Sequence, residues 1–422
     1  MNRYLDINLY FYRIGFTFRA LKSKNFKLFF IGQIISLLGS FIQQIALGWL
    51  IYTLTNSAVY LGVIGFAGQI PALILTPIAG VYADRMNRRK VLIAAQTVSM
   101  LMALIMAGLY FAGLIQVWHI IVIAIINGMA MAFDTPFRHA FLLDMVGDRD
   151  LLQNAIALNS TLINSARFIG PMIGGFLIAL VGEGYCFLIN GLSFLAVIIA
   201  LMSMKVTPRN RSKKHGSILK ELIEGFQYSY SFKPIKYLLL LVITTGFFGL
   251  SYQVFLPVFA RDILHGGSKM LGFLTGTMGA GALTGAFYLA SRKGICGIPK
   301  LVFISAVTFS VALMGFSISE NTILSLVLMY FVGFGMIVQF ASSNTLIQTI
   351  VDEDKRGRVV ALYGMSFMGI TPLGSLLLGT ITPWAGVQYT ILVSAFICFI
   401  VSINFIRRIP IVQKEVCKKE QA

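Results

Sequence analysis

Charge is scarce in this 422-residue chain: Asp, Glu, Lys and Arg make up 12% of it, against 57% apolar residues. A soluble domain carries roughly 25% charged residues because its surface must face water. The deficit excludes an ordinary water-facing surface and leaves lipid as the medium that most of the chain meets. Acid is scarcer still, with 16 Asp and Glu against 34 Lys and Arg, for a net charge of +18. Cysteine is limited to Cys186, Cys296, Cys398 and Cys417, which show neither zinc-ligand spacing nor a disulfide framework. The four histidines (His119, His139, His215, His265) form no ligand cluster, so neither a metal nor another cofactor is expected. There is no GxxxxGK[ST] loop, which leaves an ion or solute gradient as the energy source. No nucleophile–base pair stands at one depth, which disfavours a membrane enzyme or lipid-handling protein. Residues 1–25 lack a long apolar run followed by a small-residue cleavage site, so no signal peptide is expected. Tyr4, Leu9, Phe11, Tyr12 and Phe16 among basic residues instead suggest an amphipathic segment on the membrane surface.

Long apolar runs are what the chain does have. Twelve are predicted, near 28–53, 58–82, 91–112, 117–138, 154–181 and 185–205, then 236–260, 271–291, 299–317, 322–348, 358–382 and 386–406. Each approaches or exceeds the ~20 residues that a helix needs to cross a hydrocarbon core of about 30 Å. Helices are required because lipid offers no partner to an open backbone group.

The positive charge is distributed by side. Alternate connections hold Arg3, Arg13, Arg19, Lys22, Lys24 and Lys27, then Arg85, Arg88, Arg89 and Lys90, then Arg209, Arg211, Lys213, Lys214 and Lys220, and finally Arg407, Arg408, Lys414, Lys418 and Lys419. Only Arg261 and Lys269 are assigned to the other side, and only Arg167 to the deep membrane. Cytoplasmic loops retain Lys and Arg during insertion, so both termini and the central loop are expected in the cytoplasm of a bacterium, in its inner membrane. Anionic lipid headgroups are the natural partners of such charge. Nucleic acid is not, since no basic segment interleaves with base-stacking aromatics.

The chain reads as two halves. Residues 1–206 and 235–422 are each expected to form a six-helix bundle, joined by a central loop at 207–234. That loop is linker-like to residue 216, and from Ser217 to about Ser231 it has the apolar spacing of a surface helix. Gly128–Val146 aligns with Gly333–Val351 at an offset of 205 residues. Each segment leads to an acidic turn (Asp148-Arg149-Asp150; Asp352-Glu353-Asp354) and then to a helix with an interior proline, Pro171 or Pro372. Parallel six-helix repeats are a recognised transporter architecture.

After the second span the sequence reads Gly80-Val-Tyr-Ala-Asp84-Arg85-Met-Asn87-Arg88-Arg89-Lys90. This resembles the major facilitator signature G-x-x-x-D-R-x-G-R-R-K, with Asn87 where glycine is usual. Asparagine tolerates the left-handed backbone that a glycine turn would need. The resemblance implies twelve helices in two pseudo-symmetric bundles. It also implies a conformational latch between the second and eleventh helices, formed by Gly80, Asp84 and Arg85 with the basic run Arg88, Arg89 and Lys90. The corresponding second-half loop, Ser291-Arg292-Lys293, lacks the acid, so one full latch is expected.

In the fifth span, Arg167-Phe-Ile-Gly170-Pro171-Met-Ile-Gly174-Gly175 resembles the antiporter motif of proton-driven exporters, with Ala157 and Ala166 at two of its upstream glycine positions. Close packing of helices at small residues explains the same pattern. An arginine that many such exporters carry in the fourth span is Ala124 here, which removes that route for proton coupling. Asn127-Gly128, Ala132-Phe-Asp134-Thr-Pro136-Phe-Arg138, Asn154-Ala-Ile-Ala-Leu-Asn159-Ser160, Asn344-Thr-Leu-Ile-Gln348 and Arg356-Gly-Arg358 resemble the subgroup of enterobactin exporters and macrolide efflux proteins.

Charge in the bilayer interior costs about 2.5–3.5 kcal/mol on insertion scales, so a retained charge asks for a role. Arg167 lies midway along its span, with Asn164 and Ser160 on the same face. Two readings stand: Arg167 holds an anionic solute, or it forms a permanent ion pair, for example with Asp134. Asp134, expected to be the one acid inside a span, is either a partner for Arg138 at i+4 or a proton-responsive gate. By resemblance the first, fourth, seventh and tenth helices line the path. Their candidate polar groups are Gln33, Gln43, Gln44, Tyr252, Gln253, Gln339 and Asn344, while Phe247, Phe248 and Phe255 are assigned to packing or lipid. The expectation is a monomeric, proton-linked exporter of a small amphipathic or anionic molecule such as a siderophore or drug. Import of an iron chelate on the same fold is the alternative.

Overall fold

The computed structural model describes residues 18–83, 85–206, 218–292, 294–353 and 355–421. The expected surface segment at residues 4–16, the linker at 207–216 and Asp84 lie outside them. Among the described residues, twelve helices are long and apolar enough to cross a membrane. We label them α1 (Lys24–Thr55), α2 (Ala58–Gly80), α3 (Arg88–Phe111), α4 (Val117–Val146), α5 (Asp150–Val181), α6 (Glu183–Ser203), α7 (Lys233–Ile263), α8 (Gly267–Ala290), α9 (Ile298–Ile318), α10 (Thr322–Ile350), α11 (Arg356–Ala385) and α12 (Val387–Ile406). An even number of crossings brings the central loop and the tail to one face, here called the basic face.

Helix ends follow local chemistry. Asn87 starts α3 by accepting from the Lys90 backbone N–H at 3.2 Å, and its own φ is −70°. The left-handed turn expected at this position is therefore absent, because the Asn87 side chain serves as a cap instead. Asp148 and Asn321 cap α5 and α10 in the same manner. The fourth span runs eight residues beyond its expected end at 138, until Gly147 stops it with φ +75°. Asp144 thereby falls within α4, and Glu183 and Asp262 also sit within helices, so Asp134 is not the one acid in a span.

In each half the six helices pack as a bundle: α1 lies against α5 and α6, α2 against α4, α8 against α10, and α9 against α10 and α12. Across the halves the principal pairs are α5 with α8 and α2 with α11, which the repeat relates to one another. Two helices are irregular. In α7 wide turns at Thr245–Gly249 and Phe259–Ile263 flank a tight segment at Leu250–Phe255, and α11 has a wide turn at Met365–Gly369. Pro257 and Pro372 lack a backbone donor and loosen the ladder there. Hydroxyls re-satisfy some of the carbonyls: Ser251 donates to Phe247 and Thr371, and Thr371 donates to Gly246.

Two amphipathic helices among the described residues lie outside the spans. The expected surface helix forms as Ile218–Ser231, tied down by Glu224 to Arg358 at 2.7 Å and by Tyr228 to Asp352 at 2.9 Å. A tail helix, Ile409–Gln421, was not expected from the sequence. It buries Ile409, Val412 and Val416 against the second bundle and brings Cys417 to a disulfide with Cys296. This corrects the reading that the cysteines form no disulfide. The partners are 121 residues apart, and only the folding back of the tail joins them.

Candidate transport path

Small residues bring the halves together away from the basic face. A β-carbon on Gly175 of α5 would lie 2.5 Å from the Cα of Gly272 of α8, and one on Gly62 of α2 would lie 2.5 Å from the Ser375 carbonyl of α11. Approach this close is open to glycine and very little else. Tyr52 at the end of α1 donates to Asp262 at the end of α7, and Arg261 lies over the Tyr52 ring at 5.4 Å. Further in, Phe168 meets Gly279 of α8 and Leu73 of α2 meets Gly369 of α11. These cross-half contacts reach mid-depth, one residue above Arg167.

Arg167 has no hydrogen bond or ion pair among the described residues. Its expected alternative partner is engaged elsewhere. Asp134 is buried, ion-paired with Arg138 and bonded by Gln96 Nε2 at 2.7 Å. The Arg167–Asp134 pair is thus not formed, since Arg138 one turn along α4 reaches the carboxylate first. On the Arg167 face Asn164 donates to the Ser160 carbonyl at 2.9 Å, and Ser160 is exposed. Nearby on α5, Asn159 is buried with neither amide atom bonded among the described residues.

The other polar candidates divide. Gln43 is buried and accepts from Asn190 at 2.7 Å. Tyr252 is fully buried with its hydroxyl 2.9 Å from the Met278 sulfur, and Gln339 is fully buried and donates to Thr245 at 2.8 Å. These three tie helices together and do not face an open path, because their bonds are made to neighbouring helices within their own halves. Gln33 is buried as well. Gln44 and Gln253 are exposed, and Asn344 is half-buried, accepting from Gln348 at 3.0 Å.

In the signature loop Arg88 is the organising side chain. It donates to the carbonyls of Ala83 (2.9 Å) and Ala140 (2.7 Å) and pairs with Asp144 at 3.0 Å. Arg89 donates to the Met202 carbonyl, whereas Arg85 and Lys90 are exposed. A β-carbon on Gly80 would meet nothing within 4 Å among the described residues, so none of them crowds the expected latch position. In the fifth-helix motif Gly170 meets Phe41 and Gly174 meets Ile42 of α1, with Pro171 between them inside the helix. Sequence reasoning missed Gln96, Asp144, Tyr52 and Asp262. Gln96 carried a signal, as a polar residue in an apolar span; the meeting of Tyr52 and Asp262, 210 residues apart, carried none.

Comparison with known proteins agrees with this architecture. Residues 16–421 match the family model described as transmembrane secretion effector. The staphyloferrin A transporter of Staphylococcus aureus is 29% identical over 387 residues, covering 90% of this chain and 96% of that protein. The multidrug efflux pump Tap of Mycolicibacterium fortuitum is 25% identical, over 84% of this chain and 88% of the pump. A bacterial homolog of the human lysosomal transporter Spinster, solved inward-facing and occupied, has the same fold with a TM-score of 0.73 at 13% identity, covering 94% of this chain and 98% of that one. With twelve apolar helices in two related bundles and a family match over nearly its whole length, the chain belongs to the transmembrane secretion effector family of major facilitator transporters.

Proposed function

We propose that this transporter is a proton-linked exporter of a small amphipathic anion, working by alternating access as a monomer, with no enzymatic activity of its own. The observation that carries the reading is Arg167: a mid-depth guanidinium with no partner among the described residues, just below the contacts that join the halves. Arginine stays charged and presents a planar fork that fits a carboxylate or catecholate. Ser160, Asn164, Gln44, Gln253 and Asn344 supply polar contacts around the path. The names of the two relatives, one a siderophore transporter and the other a drug pump, support an amphipathic cargo.

In this reading residues 1–206 and 235–422 rock about the central path, with the loop at 207–234 between them. The basic face is cytoplasmic, as the placement of Lys and Arg supports, and the contacts described above close the outer face. The latch of Gly80, Asp84 and Arg85 engages α11 when the cytoplasmic side closes. Arg88 holds the loop to α4 meanwhile. Gly170, Pro171, Gly174 and Gly175 let α5 slide against α1 and α8. The Asp134–Gln96–Arg138 cluster takes the coupling proton in place of the route lost at Ala124.

The experiment is an untargeted comparison of secreted and intracellular small molecules in deletion and complemented strains, with and without iron. The expected result is an anionic metabolite retained inside the deletion strain. Uptake of that metabolite into inverted vesicles should stop when the proton gradient is collapsed. Uptake that persists overturns the proton linkage, and accumulation by intact cells overturns the direction.

A further inference from the structure

We propose that Cys296 and Cys417 form a reversible thiol–disulfide switch that locks the tail helix onto the basic face of the second bundle. The proposal rests on the orientation given above, which places both cysteines in the cytoplasm. Disulfides there are rare and, when present, are usually transient, catalytic or redox-sensing.

The geometry suits such a switch. The Cα atoms lie 5.1 Å apart, within the range that a disulfide spans without backbone movement. Both residues are partly exposed, so a small reagent reaches them. By contrast Cys186 and Cys398 are buried within spans. Lys414, Lys418 and Lys419 share the tail helix with Cys417, and the Arg292 guanidinium lies beside Gly297. Glu415 and Glu420 share that helix, so the charge around the pair is mixed with a small basic excess, and it is the partial exposure of both sulfurs that opens them to exchange.

A second contact keeps the partners in register without the covalent bond. The Glu420 carboxylate accepts from the backbone N–H of Ile295 at 2.9 Å and of Cys296 at 3.2 Å. The loop that lost the signature acid therefore regains one from the tail. Beneath it, the buried Ile409, Val412 and Val416 seat the tail helix on α7, α9 and α10. The reduced form is a docked but releasable helix, and the oxidised form is a clamped one.

A low-molecular-weight disulfide, RSSR, is the oxidant. The thiolate of one cysteine attacks one sulfur of RSSR, forms a mixed disulfide and expels RS−. The thiolate of the other attacks the protein-bound sulfur, closes the Cys296–Cys417 bond and expels the second RS−. Two protein thiols are oxidised, RSSR is reduced to two RSH, and the two protons lost by the cysteines end on the released thiols.

The test uses the full chain in inverted membrane vesicles. These are equilibrated with reduced or oxidised glutathione, acid-quenched, denatured and labelled with a maleimide–polyethylene glycol. Wild type should take four adducts when reduced and two when oxidised, reversibly, with a peptide joining residues 296 and 417 seen by mass spectrometry. Cys417→Ser should take three adducts when reduced and two when oxidised, its Cys296 then held as a glutathione mixed disulfide seen by mass spectrometry, with no peptide joining residues 296 and 417. Trypsin cleavage at Lys418 and Lys419 should be several-fold slower in oxidised than in reduced wild type, and indifferent to redox state in Cys417→Ser. Four adducts throughout, or two throughout, overturns the switch; equal cleavage of the two wild-type forms overturns the clamp. Before denaturation, a membrane-impermeant maleimide applied to reduced intact cells and to inverted vesicles reports the side of Cys417. Labelling in intact cells would sink the orientation independently of the exchange chemistry.

Discussion

At the scale of the residue, two charged side chains in the first bundle have opposite circumstances. Arg138 is buried and paired with Asp134, whereas Arg167 has no such bond among the described residues. Replacing Asp134 with Asn would leave the Arg138 charge uncompensated, a change that typically costs about 3–5 kcal/mol. The expected outcome is a marked fall in the melting temperature of the detergent-solubilised protein, partly restored by Asp134→Asn with Arg138→Gln. Replacing Arg167 with Ala removes nothing that other described side chains depend on, so melting should change little. A hydrogen bond to a charged group contributes about 1.5–3 kcal/mol, so solute affinity should fall roughly ten- to a hundredfold in a binding assay, with Arg167→Lys intermediate. Both charges were legible in the sequence as polar intrusions in apolar runs. Which of them was already paired was not, because i+4 reach within α4 and a contact between α4 and α5 compete on geometry alone. Gln43, Tyr252 and Gln339 show the same limit: their polarity could be read, but not their bonds to neighbouring helices.

At the scale of the element, the fifth helix joins the two halves where glycine removes the side chain. Gly175→Val would place its β-carbon 2.5 Å from the Cα of Gly272 and 2.7 Å from the Ser268 carbonyl, both backbone atoms that cannot swing aside. Overpacking of this kind costs about 1–3 kcal/mol, and here that penalty falls on closure of the face away from the basic side. Distance measurements between spin labels on the outer ends of α5 and α8 should therefore show an opened population, with transport reduced and membrane insertion normal. The irregular turns of α7 and α11 belong to this scale as well. The interior Pro372 announced a disturbance in the sequence, and Pro257 adds one in α7, but wide and tight turns in succession arise only as hydroxyls such as Ser251 and Thr371 meet the carbonyls left open.

At the scale of the whole molecule, the proposed orientation rests on a count of Lys and Arg by side. A reporter enzyme active only in the cytoplasm, fused after Ala422, should be active. The same reporter inserted between α1 and α2, at Asn56, should be silent. Activity at Asn56 would reverse the orientation and, with it, the direction of the proposed export.

The sequence by itself determined the twelve spans, their helical form and the family, since apolar length, backbone satisfaction in lipid and the Gly80–Lys90 signature are local properties of the chain. Only the tertiary structure decided that the halves meet through α2 with α11 and α5 with α8 on the side away from the basic face. It also decided that Asp134 belongs to Arg138 and that the tail returns to place Cys417 and Glu420 beside Cys296. The meeting of the halves and the return of the tail depend on surfaces far apart in sequence, and the pairing of Asp134 depends on which of two nearby arginines the packing turns toward it; hydropathy carries no information about either.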